Sequence, residues 1–505
     1  MKRLKHITLL LPVLICFAAC KKQLEEVAPP TSINRSMVYN DTAAALTLYN
    51  GVYNALRSYH YTFLELGEVR SEVWAGGLTR ETPNDNFLTL SRHDFNATTV
   101  PVKDWGDLYK LIDKINTVIE VFPETKLSEA NRNMMLAEMY GMRAYIYYHL
   151  LMSWGGVPIT TTPVSKVSSL TELYRARSSE AEVMQQIKAD VNKSIEMFNN
   201  NRSLSSKRVY WNLAASLVLK GDVYIWSGTN LNGGTDDFTT AISALEQAKA
   251  FPGLSLQSNF SDIFNPLKKT NNSEIIFAIS FEKNQATQAA FNDFRMNSTT
   301  ISTTYFDEAA TTKVSSVYPY LGGANRIGIA DEVITKLLNS TGDKRISASV
   351  RPLYLKNGST TSFAGTLLVK FLGRVDGSAQ LFDNDYPIYR YAEVLLLLAE
   401  AKTKLGQDPS AEINQIRQRA FGNAYIPYVN GSLDDNIRAI LEEQLREFLG
   451  EAKRWYALRR AGDKWVYEYV SSQYLNPDLS YKLLLPINIE MLNLDPKLEQ
   501  NQGYH

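Results

Sequence analysis

The stretch "DYPIYRYAEVLLLLAEAKTKLG", residues 385–406, decides the architecture. Tyr391, Val394, Leu398, Ala401 and Leu405 recur at spacings of three and four, which is one face of a helix, and Gly406 stands where that helix should stop. Asp408 and Pro409 then read as the N-cap and first residue of a further helix, "SAEINQIRQRAFG". Upstream the character changes. Residues 251–385 are rich in Thr, Ser, Asn, Gly and Tyr with weak periodicity, as in "FRMNSTTISTTYFDEAATTKVSSVYPYLGGANRIG", and only short pieces such as "SEIIFAIS" and "TLLVKFLG" look like strands. The quoted stretch therefore marks the border between an irregular middle and a helical C-terminal part.

Helices dominate on both sides of that middle. In "SEANRNMMLAEMYGMRAYIYYHLLMSWGGVP", Met135, Met139, Met142, Ile146 and Leu150 form one stripe, with Ser128 as N-cap and Gly155-Gly156 and Pro158 as the stop. Ser179 and Glu182 have capping-box spacing before the next helix. "VYWNLAASLVLKGDVYIWSG" carries small Ala214, Ala215 and Ser216, where a neighbouring helix can approach closely, and "FTTAISALEQAKAF" follows it. "NIRAILEEQLREFLGEAKRWYALRRAG" is expected to be one helix with Leu441, Leu445, Phe448, Ala452 and Trp455 on its apolar face. Its Glu442, Glu443, Glu447 and Glu451 interleave with Arg446, Arg454 and Arg459 and are expected to be solvated ion pairs. Helices of this length joined by short polar loops suggest antiparallel pairs of the tetratricopeptide kind, although no 34-residue repeat is visible.

The N-terminus reads as a targeting segment. Lys2, Arg3, Lys5 and His6 precede an uncharged, mostly apolar run from Ile7 to Ala19, too short for a bilayer but suited to a signal peptide. Ala18-Ala19-Cys20 ends it like a lipobox, so Cys20 is the expected lipidation site. A plain signal peptide cut after Ala19 is the alternative. Cys16 and Cys20 are the only two cysteines, so the mature chain is expected to have no disulfide, cysteine–metal site or cysteine nucleophile. The precursor has 53 basic and 53 acidic residues, and this balance gives no electrostatic reason to expect nucleic acid. The segment "KKQLEEVAPPTSINRS" has the composition of a tether.

Catalytic signatures are lacking. The five histidines, His6, His60, His93, His149 and His505, show no metal-ligand spacing, and no phosphate loop, dinucleotide fingerprint or serine elbow occurs. Asp383 and Asp385 fit a turn better than a Ca²⁺ site. A glycosidase with two dispersed carboxylates stays open, because such carboxylates need not be close in sequence. No catalytic residue, metal or cofactor is expected.

Aromatic residues carry more. With 28 Tyr, 20 Phe and 7 Trp, the chain has the flat surfaces that sugar rings stack on. Trp105, Trp154, Trp211, Trp226 and Trp455 belong to apolar helical patterns and are expected in the core. Trp74 lies in "ELGEVRSEVWAGGLTRETPNDNF", read as a loop, where ligand contact and local packing are both open. The candidate ligand-binding residues are Trp74, Arg80, Asn84, Asn86, Tyr305, Tyr318 and Tyr320.

Five blocks in order resemble one family: "MRAYIYYHLLMSWGGVP", "WNLAASLVLKGDVYIWSG", "DYPIYRYAEVLLLLAEAKTKLG" with "INQIRQRA", "ILEEQLREFLGEAKRWYALRRAG" and "LLLPINIEMLNLDPKLEQNQGY". They are similar to the SusD/RagB outer-membrane nutrient-binding lipoproteins of Bacteroidota. The resemblance implies a mostly α fold, SusD-like, in which tetratricopeptide-like helix pairs form a scaffold and a large irregular insertion carries short β-strands. It implies a lipid-anchored protein of the outer membrane facing the cell exterior, with Glu25 and Glu26 resembling the export signal. It also implies capture of an oligosaccharide, without catalysis, for a SusC-like TonB-dependent barrel. A peptide-binding or purely structural lid is the alternative. Arg390, Glu393, Arg459 and Arg460 mark the family and are read as structural arginines and their partner. The expected layout is a signal peptide over 1–19, lipidated Cys20 and tether over 20–39, and one domain over 40–505. Within that domain, 40–250 is helical, 251–385 is the irregular ligand side, and 386–505 is helical again.

Overall fold

The computed structural model describes residues 35–76, 85–102, 105–164, 167, 169–288, 301–307, 309–318 and 326–504. Cys20 and the signal segment lie outside them. The first described helix, Arg35–Asn40, overlaps the end of the stretch expected as tether, 20–39. The scaffold helices are α1 (Thr42–Ser58), α2 (Gly106–Val121), α3 (Glu129–Trp154), α4 (Glu180–Phe198), α5 (Leu213–Asn230), α6 (Gly234–Lys249), α7 (Tyr391–Lys404), α8 (Ser410–Phe421), α9 (Leu433–Phe448) and α10 (Arg454–Ala461). From α2 to α7 each packs on the next, and α7 in turn packs on α8 and α9.

Local chemistry sets the helix ends. Ser128 caps α3 and the helix ends at Gly155, whose φ of 74° a side chain would resist. Ser179 and Glu182 form the capping box that opens α4. The small residues of α5 do let α4 approach: Ser216 Oγ lies 2.8 Å from Ser194 Oγ.

The border stretch is a buried strand running into a buried helix. Strand β8 (Tyr386–Arg390) pairs antiparallel with β2 (Ile275–Ile279), Ile279 opposite Tyr386 and Ile275 opposite Arg390. The leucine run of α7 is enclosed on all sides, the expected state of a helix apolar all round. Val394, Leu397 and Leu398 enter the main core, while Ala392, Leu395 and Leu396 pack with Ile416 of α8 and Phe448 of α9.

Two expectations are corrected here. The arginine-rich stretch is not one helix. It breaks after Phe448, with Gly450 at φ 80° and Ala452 at φ 60°, before α10 begins. The cause is distant in sequence: the buried Glu68 carboxylate accepts the N–H of Gly450 and of Ala452, each at 2.7 Å. Nor are the glutamates of α9 solvated. Glu443, Glu447 and Glu451 are buried, and only Glu442–Arg446 remains a half-exposed i,i+4 pair.

These carboxylates form an ionic seam around Arg390. Its guanidinium donates to Glu274 and Glu447 at 2.6 Å, to Glu451 at 2.8 Å and to the Glu447 carbonyl at 2.7 Å, and lies 4.4 Å from the Phe448 ring. Arg345 joins Asp343, Glu443 and Glu447, Lys370 joins Glu451, and Arg419 joins Glu274 and Glu447. The surrounding arginines hold Glu447 far below the usual carboxylate range despite the burial that opposes it. Arg390 and Arg460 are thus structural, as read from sequence; Arg460 binds Glu400 and Asp222 inside the core.

The middle holds short antiparallel pairs. Strand β1 (Trp74–Gly76) pairs with β3 (Ile327–Ile329). A longer hairpin joins β4 (Val350–Asn357) to β5 (Thr360–Leu368), and β6 (Arg374–Asp376) pairs with β7 (Ala379–Leu381). Two short helices, Asp331–Leu338 and Lys344–Ser349, also lie in the segment expected to be irregular.

Candidate functional site

The β4–β5 hairpin is the platform on which the aromatic candidates assemble. Its edge is extended by the segment before it: Phe306 and Tyr354 exchange both backbone hydrogen bonds, at 2.8 and 3.1 Å. The chain then doubles back, with Val314 N–H bonded to the Tyr305 carbonyl and Tyr318 N–H to that of Val314. Tyr305 and Tyr318 are thereby brought together against a small separate core of Val314, Leu353, Leu367 and Leu372.

A cleft of ≈ 520 Å³ opens beside Tyr318, with Asp307, Val317, Arg351 and Pro352 on its walls. Val317 is half exposed although apolar. Burial raises the Tyr318 hydroxyl above its ordinary range, and the Arg351 guanidinium that hydrogen-bonds it opposes the shift. Asp307 accepts the backbone N–H groups of Thr311 and Thr312 at 3.1 Å, which keep its carboxyl below the usual range. An aromatic ring, a planar cation and a fixed carboxylate therefore converge on one opening. Such a set can stack on an apolar ring face and hydrogen-bond the polar groups around its rim.

Trp74 stands elsewhere. It opens strand β1 rather than lying in a loop, belongs to the main core and is only 4% exposed. It does form part of the wall of a cleft of ≈ 600 Å³ between Arg92, Lys336 and residues 467–474. Asn86 is exposed on the helix Asp85–Ser91. Arg80, Asn84 and Tyr320 lie outside the described residues. Asp383 and Asp385 bind Arg374 and Lys269. Among the described residues no cluster of three His, Cys, Asp or Glu side chains is placed to hold a metal, and no helix is long and apolar enough to cross a membrane.

Sequence reasoning missed Arg351 and Asp307. Asp307 follows Phe306 in the stretch that holds Tyr305, where a single acidic residue carries no signal of its own, and Arg351 meets Tyr318 only through the Phe306–Tyr354 pairing.

The chain has close structural relatives. It superposes on B. fragilis NanU with a TM-score of 0.85 at 35% identity, covering 95% of this chain and 100% of that one. It superposes on a SusD superfamily protein from Bacteroides vulgatus with a TM-score of 0.84 at 33% identity, covering 92% and 100%. This chain belongs to the SusD family. The SusD family model matches residues 352–504, and a second model, described as "Starch-binding associating with outer membrane", matches residues 47–216. SusD-like protein P38 of Formosa agariphila is 24% identical over 542 residues, spanning 100% of both chains. The SusD match at 352–504 begins inside the β4–β5 hairpin and takes in α7 to α10, so the quoted border stretch lies within it.

Proposed function

We propose that this SusD-family chain is a lipoprotein of the outer membrane, anchored through Cys20 and facing the exterior. It binds an oligosaccharide at the Tyr318 cleft without cleaving it and passes it to a SusC-like TonB-dependent barrel. One observation carries the binding reading: Tyr318, Arg351 and Asp307 converge on a ≈ 520 Å³ opening, a size suited to a small ligand, in a chain matched by a starch-binding family model. Tyr305 packs on the same small core as Tyr318, and Trp74 contributes packing and a wall of the separate cleft beside Arg92.

Affinity electrophoresis of residues 21–505 through a panel of polysaccharides tests the reading. Retardation by at least one glycan is expected, with no new reducing ends released. Replacing Tyr318 with Ala should weaken the retention about tenfold, the effect of losing one well-placed aromatic contact. Release of sugar ends would instead revive the glycosidase reading, and silence across the panel would favour the peptide-binding or structural lid. Cys20→Ser should move the protein from the membrane to the soluble fraction; continued sedimentation would remove the anchor.

A further inference from the structure

A second cleft, of ≈ 690 Å³, shares no residue with the one at Tyr318. It lies between α1, the loop 205–210 and residues 277–285, and Tyr210 forms part of its wall. Tyr210 is 40% exposed, uncommon for a large ring held this firmly. It stacks on Tyr49 with centroids 6.0 Å apart and planes 12° from parallel, and meets the edge of Tyr53 at 5.0 Å. Both supporting tyrosines donate their hydroxyls to one oxygen of the buried Glu138. The Tyr53 hydroxyl also accepts the N–H of Trp211, the residue after Tyr210, at 3.1 Å. The loop is further tied to the β2 edge, Ala278 N–H to the Arg208 carbonyl at 3.0 Å and Asn212 Nδ2 to the Ile276 carbonyl at 2.8 Å. An exposed aromatic fixed in advance loses little freedom when something stacks on it, which is the condition for useful binding energy from one ring.

Amides are prominent among the polar groups around it. Asn50 and Asn54, one turn apart on α1, are exposed, as is Gln285 across the cleft. Three charged residues line the cleft: Lys207 and Glu282 pair with each other at 2.8 Å, and Arg57, on α1 beside Asn54, donates to the Asn54 amide oxygen at 3.4 Å. Amides offer a donor and an acceptor side by side, matching neighbouring hydroxyls, and the Arg57 guanidinium adds donors of the same use.

We infer that this cleft is a second binding site for an oligosaccharide, with Tyr210 as the stacking platform and the amides of Asn50, Asn54 and Gln285 reading hydroxyls. The ligand class rests on the glycan reading above; the location does not. Two sites on one surface protein would hold a long polymer by two points, so that release of one end leaves the chain tethered by the other.

The test uses the full chain in detergent and a panel of neutral and acidic polysaccharides, starch and laminarin among them, with calorimetry on oligosaccharides of the glycan that retards it. Two sites per chain are expected in the wild type, one in Tyr210→Ala, one in Tyr318→Ala and none in the double variant. Because Tyr210 also packs on Tyr49, the variant Asn54→Ala/Gln285→Ala, which removes only exposed amides, must repeat the loss as at least tenfold weaker binding at one site. A single site in the wild type, or unchanged binding in the amide variant, overturns this site and leaves the first intact. Silence of the wild type across the panel overturns both.

Discussion

Arg390 and Arg351 both sit in a strand of a two-stranded sheet, and their surroundings are opposite. Arg390 is 1% exposed and spends its donors on Glu274, Glu447, Glu451 and a backbone carbonyl, joining β8 to α9 and the start of β2. Arg351 is exposed in β4 and reaches the Tyr318 hydroxyl at the mouth of a cleft. The first arginine is committed to assembly: nothing of it is left for a ligand. The second keeps donors facing solvent, where a ligand can take them. Within one chain, burial and prior commitment separate an arginine spent on assembly from one proposed to meet a ligand.

The comparison breaks first at Arg390. Arg390→Ala takes the shared cation from three buried carboxylates, leaving Glu274 and Glu447 to Arg419 and Arg345 and Glu451 to Lys370; removing one partner of a buried pair costs about 3–5 kcal/mol, so no folded protein or a much lower urea midpoint is expected. Arg390→Lys should rescue poorly, since an ammonium cannot reproduce the guanidinium fork. A folded Arg390→Ala with wild-type stability would mean that the seam is dispensable. Leu397→Ala, in the buried face of α7, should cost about 2–5 kcal/mol by the same measurement without disturbing any charge. Arg351→Ala should leave the midpoint within about 0.5 kcal/mol, as at other surface positions, and weaken glycan binding about tenfold. Loss of stability there would erase the contrast.

Smaller effects come from pH. His93 and His149 are pushed down to about 3 by burial, against 6.5 when free, so the native state keeps them neutral. Between those values the unfolded chain binds more protons, and stability is lost as pH falls from 6.5 toward 3. Glu138 runs the other way: burial raises it from 4.5 to about 8, so the folded state holds the extra proton and stability declines as pH rises through that window. Glu138→Gln, which keeps an acceptor for the two tyrosines, should flatten the decline. Melting curves at pH 5 and pH 8 of both proteins measure it; parallel shifts in the two would show that Glu138 does not titrate there.

How much of this was legible in the sequence varied with the range of the interaction. Ser128, Gly155 and the Ser179–Glu182 box act within one turn, and they ended their helices where the residues said. The break at Gly450 was hidden because the apolar spacing from Leu441 to Trp455 runs through it unaltered; Glu68, far away in the chain, imposes it. Glu443 and Glu447 imitate a solvated stripe because their counter-charges, Arg345, Arg390 and Arg419, arrive from other elements. The Tyr318 cleft is the extreme case. Tyr305 and Tyr318 were visible as aromatics in a weakly periodic stretch that also holds Asp307, but Arg351 joins them only across a strand pairing that no local pattern announces. Trp74 misled for a related reason, since its Gly-rich neighbours suggested a loop while its partner strand lies at Ile327–Ile329.

The Glu68 carboxylate also bears on how the molecule can be made. It holds Gly450 and Ala452, while Glu72 holds Arg454 and Arg70 donates to the carbonyls of Lys482 and Leu483. Three residues within one short N-terminal turn thus clasp the last sixty positions of the chain. The stretches that match the two family models, 47–216 and 352–504, meet across this clasp and are poor candidates for separate expression. An emerging chain presents Glu68 and Arg70 long before their partners exist, and it closes only when its final helices have arrived.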